Sequence, residues 1–170
     1  MSIILIGFKK VGKSTIGKQV ADRMQLPFID TDERIGDCSA IYEKYGEEVF
    51  RKRERDVLLS LESQPSIIAT GGGAILTEEN VQTLKKIGKL IYLYLSQKTL
   101  QERIVHTPSF LKNISFEAHF SSREPLYRKA ADKIIDLEGL TEEAAICRVI
   151  TLATFLGSLR GENRMAGLSG

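Results

Sequence analysis

A chain of 170 residues, 42% hydrophobic and 27% charged, has room for one domain with a full core. A formal net charge of +2 excludes a global attraction to nucleic acid or to an anionic membrane, so neither is expected as a partner. No run approaches the ~20 apolar residues of a membrane span. The apolar start gives way to Lys9 and Lys10 too early for a signal peptide, so a cytoplasmic location is expected. Cys38 and Cys147 lie far apart without metal-ligand spacing and read as free thiols of a reducing compartment.

Taken in chain order, short apolar runs alternate with helical patterns. The runs at residues 3–6, 27–29, 67–70, 90–95 and 133–137 mostly lack polar alternation, as strands covered on both faces do. Helices are predicted over 14–24, 46–61, 78–87, 97–105 and 141–156 from apolar recurrence at three and four residues. This pattern predicts an α/β fold with a parallel sheet. Residues 106–122 carry Pro108, Asn113, two histidines and three phenylalanines without clean periodicity, and read as a lid. The expected domain is 1–157, with 158–170 a flexible tail.

The first run leads into Gly7-Phe8-Lys9-Lys10-Val11-Gly12-Lys13-Ser14, which satisfies G-x-x-x-x-G-K-[ST] between a strand and a helix. Gly7 and Gly12 permit the backbone angles that turn successive N–H groups inward, and the helix start adds its positive end. The nucleotide-binding residues are therefore Lys10, Val11, Gly12, Lys13, Ser14 and Thr15. Lys13 reaches the β- and γ-phosphates of ATP, and the Ser14 hydroxyl holds Mg²⁺. Many small kinases carry glycine where this chain has Lys10, an additional cation beside the phosphates.

The second run ends in Asp30-Thr31-Asp32, where ligands of open α/β sheets bind. The two carboxylates point the same way in an extended chain, one for a metal and one for a substrate hydroxyl. Taken alone they are equally compatible with a solvated acidic turn. Arg51 and Glu54 share a helix face, and Glu54 interrupts an apolar stripe, which is costly without a partner such as Arg51. Taken alone they also fit the charged edge of an amphipathic helix. Gly71-Gly72-Gly73 after the third run marks either a flexible turn or the close approach of a ligand.

In this order, together with Arg123-Glu124-Pro125-Leu126-Tyr127, these pieces resemble the shikimate kinases, within the nucleoside-monophosphate-kinase-like P-loop family. The resemblance spans roughly residues 3–150. It implies a three-layer α/β/α sandwich with a five-stranded parallel sheet of order 2-3-1-4-5 and a closing lid. It implies phosphoryl transfer from ATP to the 3-hydroxyl of shikimate, in aromatic amino-acid biosynthesis. Lys13 and Asp32 are then catalytic, and Ser14 and Asp30 serve the metal. Asp32, Arg51, Gly72 and Arg123 hold the acceptor, while Arg103 packs near the adenine. A monomer is expected. The chain departs from the family at the lid, where the usual arginine before a proline is replaced by Thr107-Pro108, so that Lys112 or Lys10 substitutes for it or the charge is supplied less well. A gluconate-kinase-like enzyme and a nucleotide-binding module without catalysis are the rival readings, and the set Asp32, Arg51 and Arg123 argues against the first.

Overall fold

The computed structural model describes residues 1–104 and 115–165, with side chains described up to residue 157. Five strands, β1 (Ser2–Ile6), β2 (Phe28–Asp30), β3 (Ile67–Ala69), β4 (Gly88–Tyr94) and β5 (Lys133–Asp136), form one parallel sheet in the order β2-β3-β1-β4-β5. The central position of β1 follows from its sequence: all five residues are buried, with Ile4, Leu5 and Ile6 sealed completely, as only a strand covered on both faces allows.

Among the described residues, seven helices surround the sheet in a three-layer α/β/α arrangement. They are α1 (Lys13–Met24), α2 (Thr31–Ile35), α3 (Cys38–Leu59), α4 (Glu78–Ile87), α5 (Gln97–Arg103), α6 (Phe116–Ala130) and α7 (Glu142–Met165). Helix α1 packs on α7, α3 on α4, and α5 on α6. Ile16, Val20 and Ala21 bury one face of α1.

Register decides where the site lies. Ile3 pairs with Ile67, Phe28 pairs with Ile67, and Asp30 pairs with Ala69, so β1, β2 and β3 end at one level. The segments that follow them, Gly7 onward, Thr31 onward and Thr70 onward, therefore share the carboxyl edge of the sheet, where open α/β sheets bind ligands.

Four elements differ from the sequence expectation. Asp30 closes its strand and Thr31 already begins α2, so extended alternation does not relate Asp30 to Asp32. Helix α3 starts at Cys38, and the expected start at Gly46 is a break inside it, with φ 81° at that residue. Residues 116–122, expected in the irregular lid, form the first turns of α6. The remainder of the lid, including Thr107-Pro108 and Lys112, lies outside the described residues. Helix α7 continues past residue 156 to Met165, and residues 166–170 of the expected tail are likewise outside the described residues. No described helix is long and apolar enough to cross a membrane.

Candidate active site

The phosphate half of the site is set by helix-end chemistry. Every described helix except α1 has its first turn capped by a side chain, such as Asp37 on Ala40 at the start of α3 and Ser115 on Ala118 at the start of α6. Helix α1 instead begins at Gly12, φ 108°, with no side-chain cap and no acidic residue in its first turn. Its first N–H groups and positive end are thus left for an external anion.

Lys13 is buried beside them, and its Nζ donates to the carbonyls of Gly7 and Phe8 at 2.8 Å each. Burial pulls its ammonium down to about 8, while Asp32 and Asp30 pull it upward. The ammonium therefore remains mostly charged at neutral pH, but desolvated, which strengthens its attraction for a phosphate. Lys10 occupies the left-handed region, φ 68°, and its carbonyl accepts a hydrogen bond from Arg103 Nη1 at 3.5 Å. The end of α5 is thereby tied to the tip of the loop.

Ser14 Oγ donates to Asp30 Oδ2 at 2.5 Å, and Asp30 Oδ1 accepts from the Asp32 amide at 2.9 Å. These converging hard oxygens suit Mg²⁺, which takes one or two protein ligands and completes its shell with water and phosphate oxygens. Among the described residues no group of three or more His, Cys, Asp or Glu side chains is arranged to hold an ion by itself.

The acceptor half faces this loop across one cavity of about 420 Å³, lined by Lys13, Asp32, Arg51, Gly72 and Arg123 among others. Arg51 Nη1 donates to Glu54 Oε2 at 2.8 Å, and its Nε lies 3.4 Å from Glu47 Oε1. Glu54 is 1% exposed; burial pushes its carboxyl upward and Arg51 offsets part of that push. Asp32 is also pushed up, first by burial and then by Asp30, with Lys13 opposing. The triple glycine is a close-approach device. A Cβ on Gly73 would stand 1.9 Å from Arg51 Nη1, and one on Gly71 would stand 2.5 Å from Asp32 Oδ1. The Gly71 amide donates to Thr31 Oγ1 at 3.0 Å, which joins the ends of β2 and β3.

Helix α6 closes the cavity. Arg123 Nη1 and the Tyr127 hydroxyl both donate to the Gly72 carbonyl, at 3.3 and 2.5 Å. Phe8 of the phosphate loop stacks on Phe120 at 4.8 Å and meets Tyr127 edge-on at 4.9 Å. His119 is buried against Phe8, and burial together with Arg123 and Arg51 lowers its imidazole to about 4. It is a neutral packing residue at physiological pH.

Nine predicted residues thus meet in the cavity wall: Lys10, Gly12, Lys13, Ser14 and Thr15 on one side, and Asp32, Arg51, Gly72 and Arg123 on the other. Three do not line it. Val11 is buried in the core, Asp30 stands behind Ser14, and Arg103 lies outside at the loop tip. Sequence reasoning missed Phe8, Tyr42 and Tyr127 as wall residues. The recurrence of Phe116, Phe120, Tyr127 and Ala130 at helical spacing was the available signal for the last of these.

A P-loop with an uncapped helix start, opening on a pocket of paired arginines and a carboxylate, defines the chain as an ATP-dependent small-molecule kinase, a phosphotransferase. A family model described as Shikimate kinase matches residues 10–153. The shikimate kinase of Francisella philomiragia subsp. philomiragia is 37% identical, over 88% of this chain and 93% of its own length. A shikimate kinase from Acinetobacter baumannii, solved in complex with shikimate, superposes with a TM-score of 0.81 at 30% identity, covering 90% of this chain and 92% of that one. The enzyme from Aquifex aeolicus gives 0.76 at 30% identity over the whole of both chains. The chain belongs to the shikimate kinase family.

Proposed function

We propose that this enzyme transfers the γ-phosphoryl group of ATP to the 3-hydroxyl of shikimate, giving shikimate 3-phosphate on the route to chorismate and the aromatic amino acids. One observation carries the reading: a single cavity joins the P-loop lysine to Asp32 and to two arginines. Two guanidinium groups suit an acceptor carboxylate, which they hold in a fixed direction. The Gly72 backbone lies in the same wall.

Phosphoryl transfer needs positioning and charge neutralisation more than covalent participation. Lys13 balances the charge that moves onto the β–γ bridging oxygen as its bond to the γ-phosphorus breaks. Asp32 orients the acceptor hydroxyl as its oxygen forms the new bond, and its raised pKa lets it hold the departing proton. Ser14 and Asp30 would hold Mg²⁺, which when bound neutralises phosphate charge. Arg103 stands by the adenine. The enzyme acts as a cytoplasmic monomer in this reading.

Three sources of the lid charge stand open: Lys112, Lys10, or a less complete supply of charge. If Lys112 supplies it, Lys112→Ala lowers turnover tenfold or more; turnover at the wild-type level rules Lys112 out. The function itself is tested by incubating the protein with Mg-ATP and a panel of hydroxylated acids, shikimate and gluconate among them, and measuring ADP release. Release that depends on shikimate is the expected result. Release with another acid, or with none, overturns the reading.

A further inference from the structure

Tyr127 is fully buried at 1% exposure, yet its hydroxyl reaches the acceptor cavity and donates to the Gly72 carbonyl at 2.5 Å. Its ring is fixed independently of that bond. It stacks on Tyr92 at 5.0 Å and takes Phe8 against its edge at 4.9 Å. One turn earlier on α6, Arg123 Nη1 shares the same carbonyl at the longer distance of 3.3 Å.

A carbonyl oxygen has two lone pairs, and here a neutral hydroxyl holds one closely while a guanidinium holds the other loosely. Burial raises the Tyr127 hydroxyl well above the ordinary phenol range, so it remains a donor at every working pH. Burial and the neighbouring Arg51 make the Arg123 charge less comfortable, which increases its demand for an anion or a carbonyl. Without the tyrosine hydroxyl, the only side-chain donor to Gly72 O among the described contacts is Arg123, and a charged donor bonds a vacant acceptor strongly.

We propose that Tyr127 is a positioning residue: by occupying the Gly72 carbonyl it fixes that peptide and leaves the Arg123 guanidinium available to an acceptor carboxylate. The inference rests on the reading that Arg123 and Gly72 hold that carboxylate. Tyr127 itself touches neither the nucleotide nor the reacting hydroxyl in this scheme.

The test is Tyr127→Phe, which removes one oxygen and keeps the stacked ring. The expected result is a rise of about tenfold in the shikimate KM, with the ATP KM unchanged, since a bond to a charged group of this kind contributes about 1.5 kcal/mol. An acceptor analogue with a primary alcohol in place of the carboxylate should show no such penalty. A merely structural role for the tyrosine would raise both acceptors' KM values together, and that outcome overturns the proposal. A second measurement needs no substrate. Solvent exchange of the Arg123 guanidinium protons, assigned by their loss in Arg123→Lys, should slow in the Tyr127→Phe protein as Arg123 takes over the carbonyl. Unchanged exchange also overturns the proposal. Failure of the acceptor reading looks different: wild-type protein then shows no shikimate-dependent turnover, while the exchange measurement still decides the role of Tyr127.

Discussion

The phosphate-facing half of the cavity comes from one continuous stretch, residues 7–15, and works largely through backbone and a helix end. The acceptor-facing half takes Asp32, Arg51, Gly72 and Arg123 from α2, α3, the loop after β3, and α6, and works largely through side chains. A group common to all nucleotides is met by a local peptide conformation. A specific small acid is met by charges that only the completed fold brings together. Changes in the first half should therefore act on nucleotide handling and turnover, and changes in the second on acceptor affinity.

The largest expected effect is that of Lys13→Met, which keeps the stem and removes the charge. Turnover should fall about a thousandfold, the upper range for loss of one preorganised group. Shikimate affinity, measured by direct titration, should hold within a few-fold; if it falls in parallel, the two halves are not separable. Arg51→Ala should act the other way, raising the shikimate KM about a hundredfold with the ATP KM within twofold. It also strips the partner from buried Glu54, so the melting temperature should drop, and a further Glu54→Gln change should recover part of the loss.

His119 offers a sharper probe because it touches both halves. An unfolded histidine binds a proton near 6.5, whereas the folded one resists until about 4. The unfolded chain therefore holds more protons in that window, and stability is lost as pH falls from 6.5 toward 4, by about 3 kcal/mol in full. His119→Gln should flatten this acid loss in melting curves between pH 7 and 4.5; an unaltered acid limb removes the histidine from the account. Lys10→Gly should give the smallest change, with opposite signs. Relief of a left-handed lysine is worth about 1 kcal/mol of stability. The ATP KM should rise a few-fold if the lysine charge assists the phosphates, and an unchanged value counts against that assistance.

The same contrast explains what could be read from the sequence. The strands were legible because parallel, doubly covered strands are continuous apolar runs, and the phosphate loop was legible because its geometry is local. Helix α6 was not, for a functional reason: the face it turns inward carries His119 and Arg123 beside Phe116, Phe120 and Tyr127, because it meets a polar cavity. Pro125 hid it further, although the carbonyl it leaves without an amide partner belongs to exposed Ser121, where water can serve. The first half of α3 was lost through Gly46, whose positive φ interrupts the periodicity. Tyr127 was quoted within a motif, but its bond to Gly72, 55 residues away in sequence, is a product of the fold.

The loop of Gly71 and Gly73 has a consequence for how such an enzyme changes its acceptor. Its selectivity is moulded by two absent methyl groups as much as by the charges present. An alanine at position 73 would have to drive the Arg51 guanidinium outward by about 1 Å, since a Cβ there meets Nη1 at 1.9 Å and real contacts stay beyond 3.0 Å. The same arginine would then present itself to a smaller guest. A lineage could thus retune its substrate without altering a single recognising group, simply by thickening the floor on which that group rests.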